Sequence, residues 1–200
     1  MARTTLHDWQ DSLERALGLF WRKGFHATSL KDIEGALDMR PGSIYAAFGS
    51  KGQLFQEALE RYARLALAEL ERVLASHESP LAGLAAYLRQ LGGLCDHEAP
   101  SRACMLVKSL LELGEQERVA RGKAEALLAG METRFIACFA DAQEAGELDP
   151  RLDPVRLGRR LQAEVMGLRS FAQRDIESAA VHAVAEDMAA SLEALRSSTA

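Results

Sequence analysis

Apolar residues recur at spacings of three and four along nearly the whole chain, the period of helices with one buried face. Residues 6 to 23 place Leu6, Trp9, Leu13, Ala16, Leu17, Phe20 and Trp21 on one side, and Arg22, Lys23 and Gly24 then suit a helix end. Thr28 or Ser29 starts a second, short helix, with Asp32 three residues beyond Ser29 and Leu30, Ile33 and Leu37 on one side. Asp38, Met39 and Arg40 break it. Pro41 opens a third helix to about Ala47, because a proline has no N–H to lose in a first turn. Ser50 then caps a long helix, with Gln53 placed to reach back as in a capping box, and Leu54, Phe55, Ala58, Leu59, Tyr62, Leu65 and Leu70 carry it to about Ala75.

A second region begins after the joint "SHESP", where Ser79 is the cap and Pro80 the first helical residue. Its helices are expected at about 80–97, 101–114, 116–145, 154–174 and 176–196, with Gly146 as a stop, Asp153-Pro154 as a start and the final "SSTA" fraying. There is no internal repeat. The expected fold is all-α: an N-terminal three-helix head (1–52, with a helix-turn-helix at about 29–48), a connecting helix (53–78) and a larger helical domain (79–200).

Composition agrees, since hydrophobic residues make up 48% of the 200 and are dominated by Ala and Leu, with Val, Ile and Thr sparse. No apolar run approaches the roughly 20 residues that span a bilayer, and the N-terminus turns acidic and periodic where a signal peptide is continuously apolar. No membrane partner and a cytoplasmic location are expected. Cys95, Cys104 and Cys138 are too few and too scattered for a disulfide framework or a zinc site, so free thiols are the reading. A formal net charge of −5 weighs against a nucleic-acid partner until its distribution is considered: residues 1–51 carry +1 and the remainder −6.

The segment "RPGSIYAAFGSKGQLF" (40–55) packs turn-formers and small side chains around one tyrosine. Two short helices joined by a tight turn, the second opening on small residues, let a recognition helix enter the major groove while its partner lies across it. Gly42 and Ser43 bring backbone N–H groups and a hydroxyl close to phosphate or base edge, Tyr45 offers its hydroxyl about one turn later, and Lys51 is placed for a backbone phosphate. Ile44 and Phe48 face the other way, toward Trp9, Leu13, Phe20 and Ile33. A buried helical hairpin with Gly and Pro as punctuation remains the alternative for these residues.

"LERALGLFWRKGFHATSLKDIEGALDMRPGSIYAAFGSKGQLFQEAL" resembles the DNA-binding domain of the tetracycline-repressor (TetR) family, over about residues 5–60, through "LFWRKGF", "ATSLKDI", "GSIYAAF" and "SKGQL". The resemblance implies that Thr28 and Ser29 touch phosphate, that Arg40, Pro41, Gly42 and Ser43 form the mouth of the recognition helix, and that Tyr45 and Lys51 clamp the backbone. Two positions depart from the family pattern: Asp38 stands where the turn usually has Gly, and Ala46 and Ala47 replace larger side chains, leaving methyl contacts to thymine as their base readout. Specificity then leans on Arg40, Ser43 and DNA shape.

One recognition helix gives little affinity, so the chain must supply a dimer surface. The final two helices are the candidates, through Leu157, Leu161, Val165, Leu168 and Phe171, and through Val181, Val184, Met188 and Leu192 or Leu195, in the four-helix bundle that the resemblance also implies. Packing within the monomer is the competing reading of these stripes. Members of the family bind a small-molecule effector in the larger domain; here the candidate lining is Tyr87, Leu91, Cys104, Met105, Lys108, Leu111, Met131, Phe135, Phe139, Gln162, Met166 and Arg169, against plain core packing. Such a lining suits an aliphatic or adaptable ligand better than a flat cation. "SRACMLVKSLLELG" resembles the cysteine-bearing helix of electrophile-responsive members, with Cys104 at the matching position, and Arg102 and a helix start favour its thiolate. A small buried hydrophobe is the other reading of that cysteine.

Catalytic motifs are missing: there is no G-x-S-x-G, and "GSKG" lacks the spacing and the strand of a phosphate loop. Cys95, Asp96, His97 and Glu98 cannot all face one ion and mark a polar helix end; His7, His26, His77 and His182 lie singly. No cofactor, no metal and no enzymatic activity are expected. The sequence thus points to a homodimeric regulator of transcription, a ligand-relieved repressor on a pseudo-palindromic double-stranded operator. A helical ligand-binding or scaffold protein without DNA binding, and a small-molecule enzyme in the helical cavity, are the alternatives.

Overall fold

The computed structural model describes residues 6–197, with side chains from Trp9 onward. Within them run α1 (Leu6–Lys23), α2 (Leu30–Leu37), α3 (Pro41–Phe48), α4 (Lys51–Ala75), α5 (Pro80–Gly92), α6 (Met105–Glu112), α7 (Arg118–Glu144), α8 (Pro154–Ala172) and α9 (Ser178–Glu193), with single 3-10 turns at Gly93–Cys95 and Glu115–Glu117. The one β feature among the described residues is an isolated bridge between Leu148 and Arg196. The side chains of Leu6 and His7 and the expected fraying of residues 198–200 lie outside the described residues.

Helix limits follow local chemistry where that chemistry is local. Gly24 ends α1 at a φ of +83°, a conformation that costs glycine little. Ser79 and Asp153 cap α5 and α8 by accepting from Ala82 N and Val155 N, each followed by its proline. The helix expected from residue 101 starts four residues later, because Gln173 Oε1 accepts from Ser101 Oγ and from the amides of Arg102 and Ala103, which holds that strip in a bend outside the helix. The capping box expected at Ser50 forms by half. Ser50 Oγ accepts from Gln53 N at 3.1 Å, but Ser50 N donates to Phe48 O instead of to Gln53.

The chain forms two compact units, and neither is contiguous: residues 1–65 with 105–127, and residues 66–104 with 128–200. Met105–Leu127, expected with the second region, thus pack with the head. The first unit is cored by Leu13, Ala16, Leu17 and Phe20 of α1, Ile33 and Leu37 of α2, Ile44 and Phe48 of α3, and Leu54, Phe55, Ala58, Leu59 and Tyr62 of α4, joined by Leu106, Leu113, Ala120 and Ala124. Its aromatic rings interlock, with Phe20 edge-on to Phe55, and Phe25 against the same ring, each at 5.0 Å between centroids. Leu65, expected on the buried stripe of α4, is 42% exposed, whereas Ala63 is buried; here the chain passes from one unit to the other and the inward face of the helix changes.

In the second unit α5 and α9 approach closely. A Cβ on Gly92 would sit 3.0 Å from Ala185 Cβ, and Arg89 of α5 forks onto Glu186 and Glu193 of α9 at 2.7–3.0 Å. On α8, Leu161, Val165 and Leu168, and on α9, Leu192, are buried among residues of their own chain, while Leu157, Val184, Met188 and Leu195 pack half-buried against the same core. The buried members of the stripe expected to meet a second copy are thus core residues of their own unit, while its half-buried members keep an outer side.

Two glycines separate packing from propensity. A Cβ on Gly158 of α8 would lie 2.8 Å from Ile136 N and 2.9 Å from its Cα, so the backbone of α7 would have to move; around Gly130 there is open space. Gly158→Ala is expected to cost about 2 kcal/mol by overpacking, and Gly130→Ala to add about 0.5–1 kcal/mol by helix propensity, both read from urea or thermal unfolding.

Candidate functional site

The site is built from the turn between α2 and α3. Ser29, in extended backbone, accepts from Asp32 N at 3.1 Å, and Asp32 Oδ2 accepts from Ser29 N at 2.8 Å and from its hydroxyl at 2.7 Å, a complete capping box. Lys23 joins it, Nζ to Oδ1 at 2.8 Å, and the Lys23 and Ser29 contacts hold the Asp32 carboxyl far below the usual carboxylate range. Asp38 ends α2 at φ 53° and ψ 44°, its N–H donating to Glu34 O; the left-handed position that the turn demands is thus met by an aspartate.

Arg40 is extended, and its carbonyl accepts from Ser43 N and Ile44 N at 2.9 and 3.1 Å, so α3 starts at Pro41. Ile44 and Phe48 are 2% and 7% exposed and anchor the helix, Phe48 against the Trp9 ring at 5.9 Å. The opposite face carries the exposed Arg40, Gly42, Ser43, Tyr45 and Ala46, with Pro41 half-buried. Tyr45 is 45% exposed. Ala47 turns away, onto a cleft shared with Trp9, Phe48, Glu57 and Glu60, and makes no outward methyl. Gly49 closes α3 at φ +75°, with Gln53 Oε1 in the space that a Cβ would take.

One expectation changes, and one residue is more enclosed than expected. Thr28 is fully buried and its hydroxyl donates to Gly24 O at 2.6 Å, so it closes the turn after α1 instead of meeting a phosphate. Lys51 is half-buried with its ammonium 4.4 Å above the Phe25 ring; burial lowers its pKa, while Glu112, Asp32 and Glu117 pull it back up. Lys31, overlooked in the sequence, lies exposed on α2 two residues after the Ser29 cap, and among the described residues neither it nor Arg40 has an ion pair.

Behind the turn, α6 holds the head. The Glu112 carboxylate accepts from Phe25 N at 3.0 Å and from His26 N at 2.6 Å, and Lys108 Nζ donates to Trp21 O at 2.6 Å, covering a free carbonyl at the end of α1. Gly24 is required twice over, since a Cβ there would stand 2.5 Å from Glu112 Oε2. His26 faces Glu117 at 3.7 Å. In the second unit His182 Nε2 lies 2.8 Å from Asp96 Oδ2, and Ser178 Oγ donates to the other oxygen of that carboxylate; serine and histidine both address the acid and not each other. His26 and His182, expected to lie singly, thus have acidic neighbours. No group of three or more metal-ligating side chains converges among the described residues.

The expected effector lining divides. Tyr87, Cys104 and Phe135 are buried in the second unit, Tyr87 and Phe135 with ring centroids 6.3 Å apart, and Met131, Gln162, Met166 and Arg169 are half-buried there. Gln162 Nε2 is spent on Leu128 O at 2.7 Å. Burial raises the Tyr87 pKa, against the opposing pull of Arg169. Leu91 and Phe139 are buried in the core. Met105 and Lys108 belong to the first unit, Met105 in its core and Lys108 on the end of α1, and Leu111 is 85% exposed because α6 turns Met105, Leu106 and Ser109 inward. All three cysteines are free, and burial pushes the Cys138 thiol up to about 11.

Residues 13–58 match the model of the bacterial regulatory proteins of the tetR family, and residues 80–194 match the tetracyclin repressor-like C-terminal domain. The chain belongs to the TetR family. Among its TetR-family relatives, the transcriptional repressor ComR of Escherichia coli is 25% identical over 174 residues, 83% of this chain and 80% of that protein. UidR of the same species, a transcriptional regulator, is 29% identical over 155 residues, 74% of this chain and 73% of that one. The regulator CifR, solved as a cysteine mutant with a 26-bp operator DNA, superposes with a TM-score of 0.85 at 27% identity, covering 95% of this chain and 98% of its own. A TetR-family regulator from Cytophaga hutchinsonii, at 18% identity and a TM-score of 0.84 over 96% of both chains, shares the fold.

The turn and its brace are both open to test. Asp38→Gly is expected to keep stability or raise it by a few tenths of a kcal/mol, roughly as propensity at a left-handed position requires, and Asp38→Val to lower it by ~1–2 kcal/mol in thermal unfolding. Glu112→Ala leaves two amides without their acceptor and is expected to cost about 1–3 kcal/mol, with amide exchange at Phe25 and His26 accelerating ahead of that at Ile33.

Proposed function

We propose that this TetR-family chain is a transcriptional repressor that binds a pseudo-palindromic operator as a homodimer and is released by a small-molecule effector. The observation that carries the reading is the polarity of α3: Ile44 and Phe48 fix one face in the core while Tyr45, Ser43, Gly42 and Arg40 are presented on the other. The names of ComR, a repressor, and of CifR, bound to operator DNA, support it. The dimer follows from energetics, since one recognition helix with two alanines in its second turn reads too few bases to hold a site alone. Regulation and not catalysis is the role, and no described helix is long and apolar enough to cross a membrane, which suits action on DNA in the cytoplasm.

Effector control needs a segment that both units bias. The chain crosses between the units at 65–66, 104–105 and 127–128, and the piece bounded by the last two carries Lys108 and Glu112, which hold the end of α1 and the turn after it. An effector that moves Cys104 or Leu128 pulls on that piece through the backbone.

The test is a mobility-shift assay on the region upstream of the chain's own gene. Raising salt from ~50 to ~200 mM is expected to weaken binding by orders of magnitude, as phosphate-led recognition requires. Lys51→Ala and Lys31→Ala should weaken all sequences alike, Arg40→Ala should also blur the preferred site, and Tyr45→Phe should cost roughly five- to tenfold, one hydrogen bond. Failure to retain any fragment in an unbiased selection would instead favour a helical ligand-binding protein without DNA.

A further inference from the structure

Of the eleven arginines in the second unit, Arg156 and Arg174 are exposed and Arg102 partly so, and water can serve their charge. Arg72, Arg89, Arg134, Arg151, Arg159, Arg160 and Arg196 each meet a carboxylate. Arg169 does not. It sits on α8 one residue after the fully buried Leu168, its Nε is sealed from solvent with no acceptor, and among the described residues no hydrogen bond or ion pair reaches the rest of its guanidinium. A guanidinium does not shed its proton to escape burial, so a half-buried one without an anion is a cost the fold carries for another purpose.

Its surroundings say what is missing. Tyr87 of α5 is 4% exposed and within electrostatic reach of Arg169, and Cys104 and Glu69 act on the same phenol. Among the described residues the Tyr87 hydroxyl has no hydrogen-bond partner, and burial keeps it protonated, a donor and not a competing anion. Glu69 is already satisfied by Arg72 and Gln90 and is no partner for Arg169. The apolar side of the cluster is supplied by Phe135, whose ring meets that of Tyr87.

We propose that the effector is an organic acid whose carboxylate pairs with Arg169 and accepts from the Tyr87 hydroxyl, with its apolar body against Phe135 and Met166. This deepens the effector reading above and rests on it. One cation and one neutral donor, with Glu69 near by, suit a planar monoanion better than a phosphate dianion.

The probes are hexanoate, decanoate and phenylacetate, each beside its own neutral amide, titrated into the full-length protein by calorimetry and by shift of Tm. At least one acid is expected to bind one per chain and raise Tm, with its amide at least tenfold weaker; Arg169→Met should lose tenfold or more, and Tyr87→Phe about three- to tenfold. Should Arg169→Met fail to fold, Arg169→Gln, which keeps a polar amide without the charge, carries the same comparison. Binding of no acid, equal binding of acid and amide, or an unchanged affinity in the Arg169 variants would overturn the proposal. DNA retention is measured on the same variants without added acid. Lost DNA binding in the wild type sinks the repressor reading, and lost acid discrimination sinks only this one.

Discussion

One carboxylate fixes the turn from which the reading head is built. Glu112, at the last residue of α6, accepts from the amides of Phe25 and His26, the two residues that follow the left-handed Gly24. Those amides lie just beyond a helix end, where no intrahelical acceptor is available, so their alternatives are water or this side chain. On the far side of the same turn Thr28 closes back onto Gly24 O, and Ser29 begins α2. The direction in which α2 leaves α1, and hence the pose of α3, is set within five residues by one charged acceptor and one buried hydroxyl.

This arrangement explains why the compact units do not follow the order of the sequence. Residues 105–127 are flanked on both sides by the second unit and yet pack with the head. A segment of that kind adds constraint at low entropic cost, because its ends are already positioned by the elements it leaves and rejoins.

What was legible in the sequence was local. The end of α1 at Gly24, the Ser29–Asp32 box, the proline starts of α3, α5 and α8, and the burial of Ile44 and Phe48 against an outward Tyr45 each depend on residues within four or five positions. What was not legible depended on distant partners. Nothing near Glu112 announces an acceptor for amides 86 and 87 residues away, and nothing near Ser101 announces Gln173. Thr28 illustrates a finer failure: a threonine before a helix reads as exposed and available, but a turn that buries its methyl leaves the hydroxyl only the nearest carbonyl. The stripes of α8 and α9 show another limit, since periodicity identifies a buried face without saying whether the same chain or another covers it.

Charge placement reconciles an acidic chain with an anionic partner. The head is nearly neutral in sum, but several of its acids are occupied or turned aside: Asp32 is held by Lys23 and Ser29, Glu14 by Arg61, and Glu112 and Glu117 lie by the turn behind α2, while Glu57 and Glu60 line the cleft beneath Ala47. Lys31 of α2 and Arg40 before α3 are exposed, and among the described residues neither has an ion pair. Exposed charges more than about 8–10 Å apart are largely screened at physiological salt, so a phosphate feels the nearest few side chains and not the sum over 200 residues. A net charge of −5 then limits nonspecific adhesion to nucleic acid without cancelling attraction at the face that reads it.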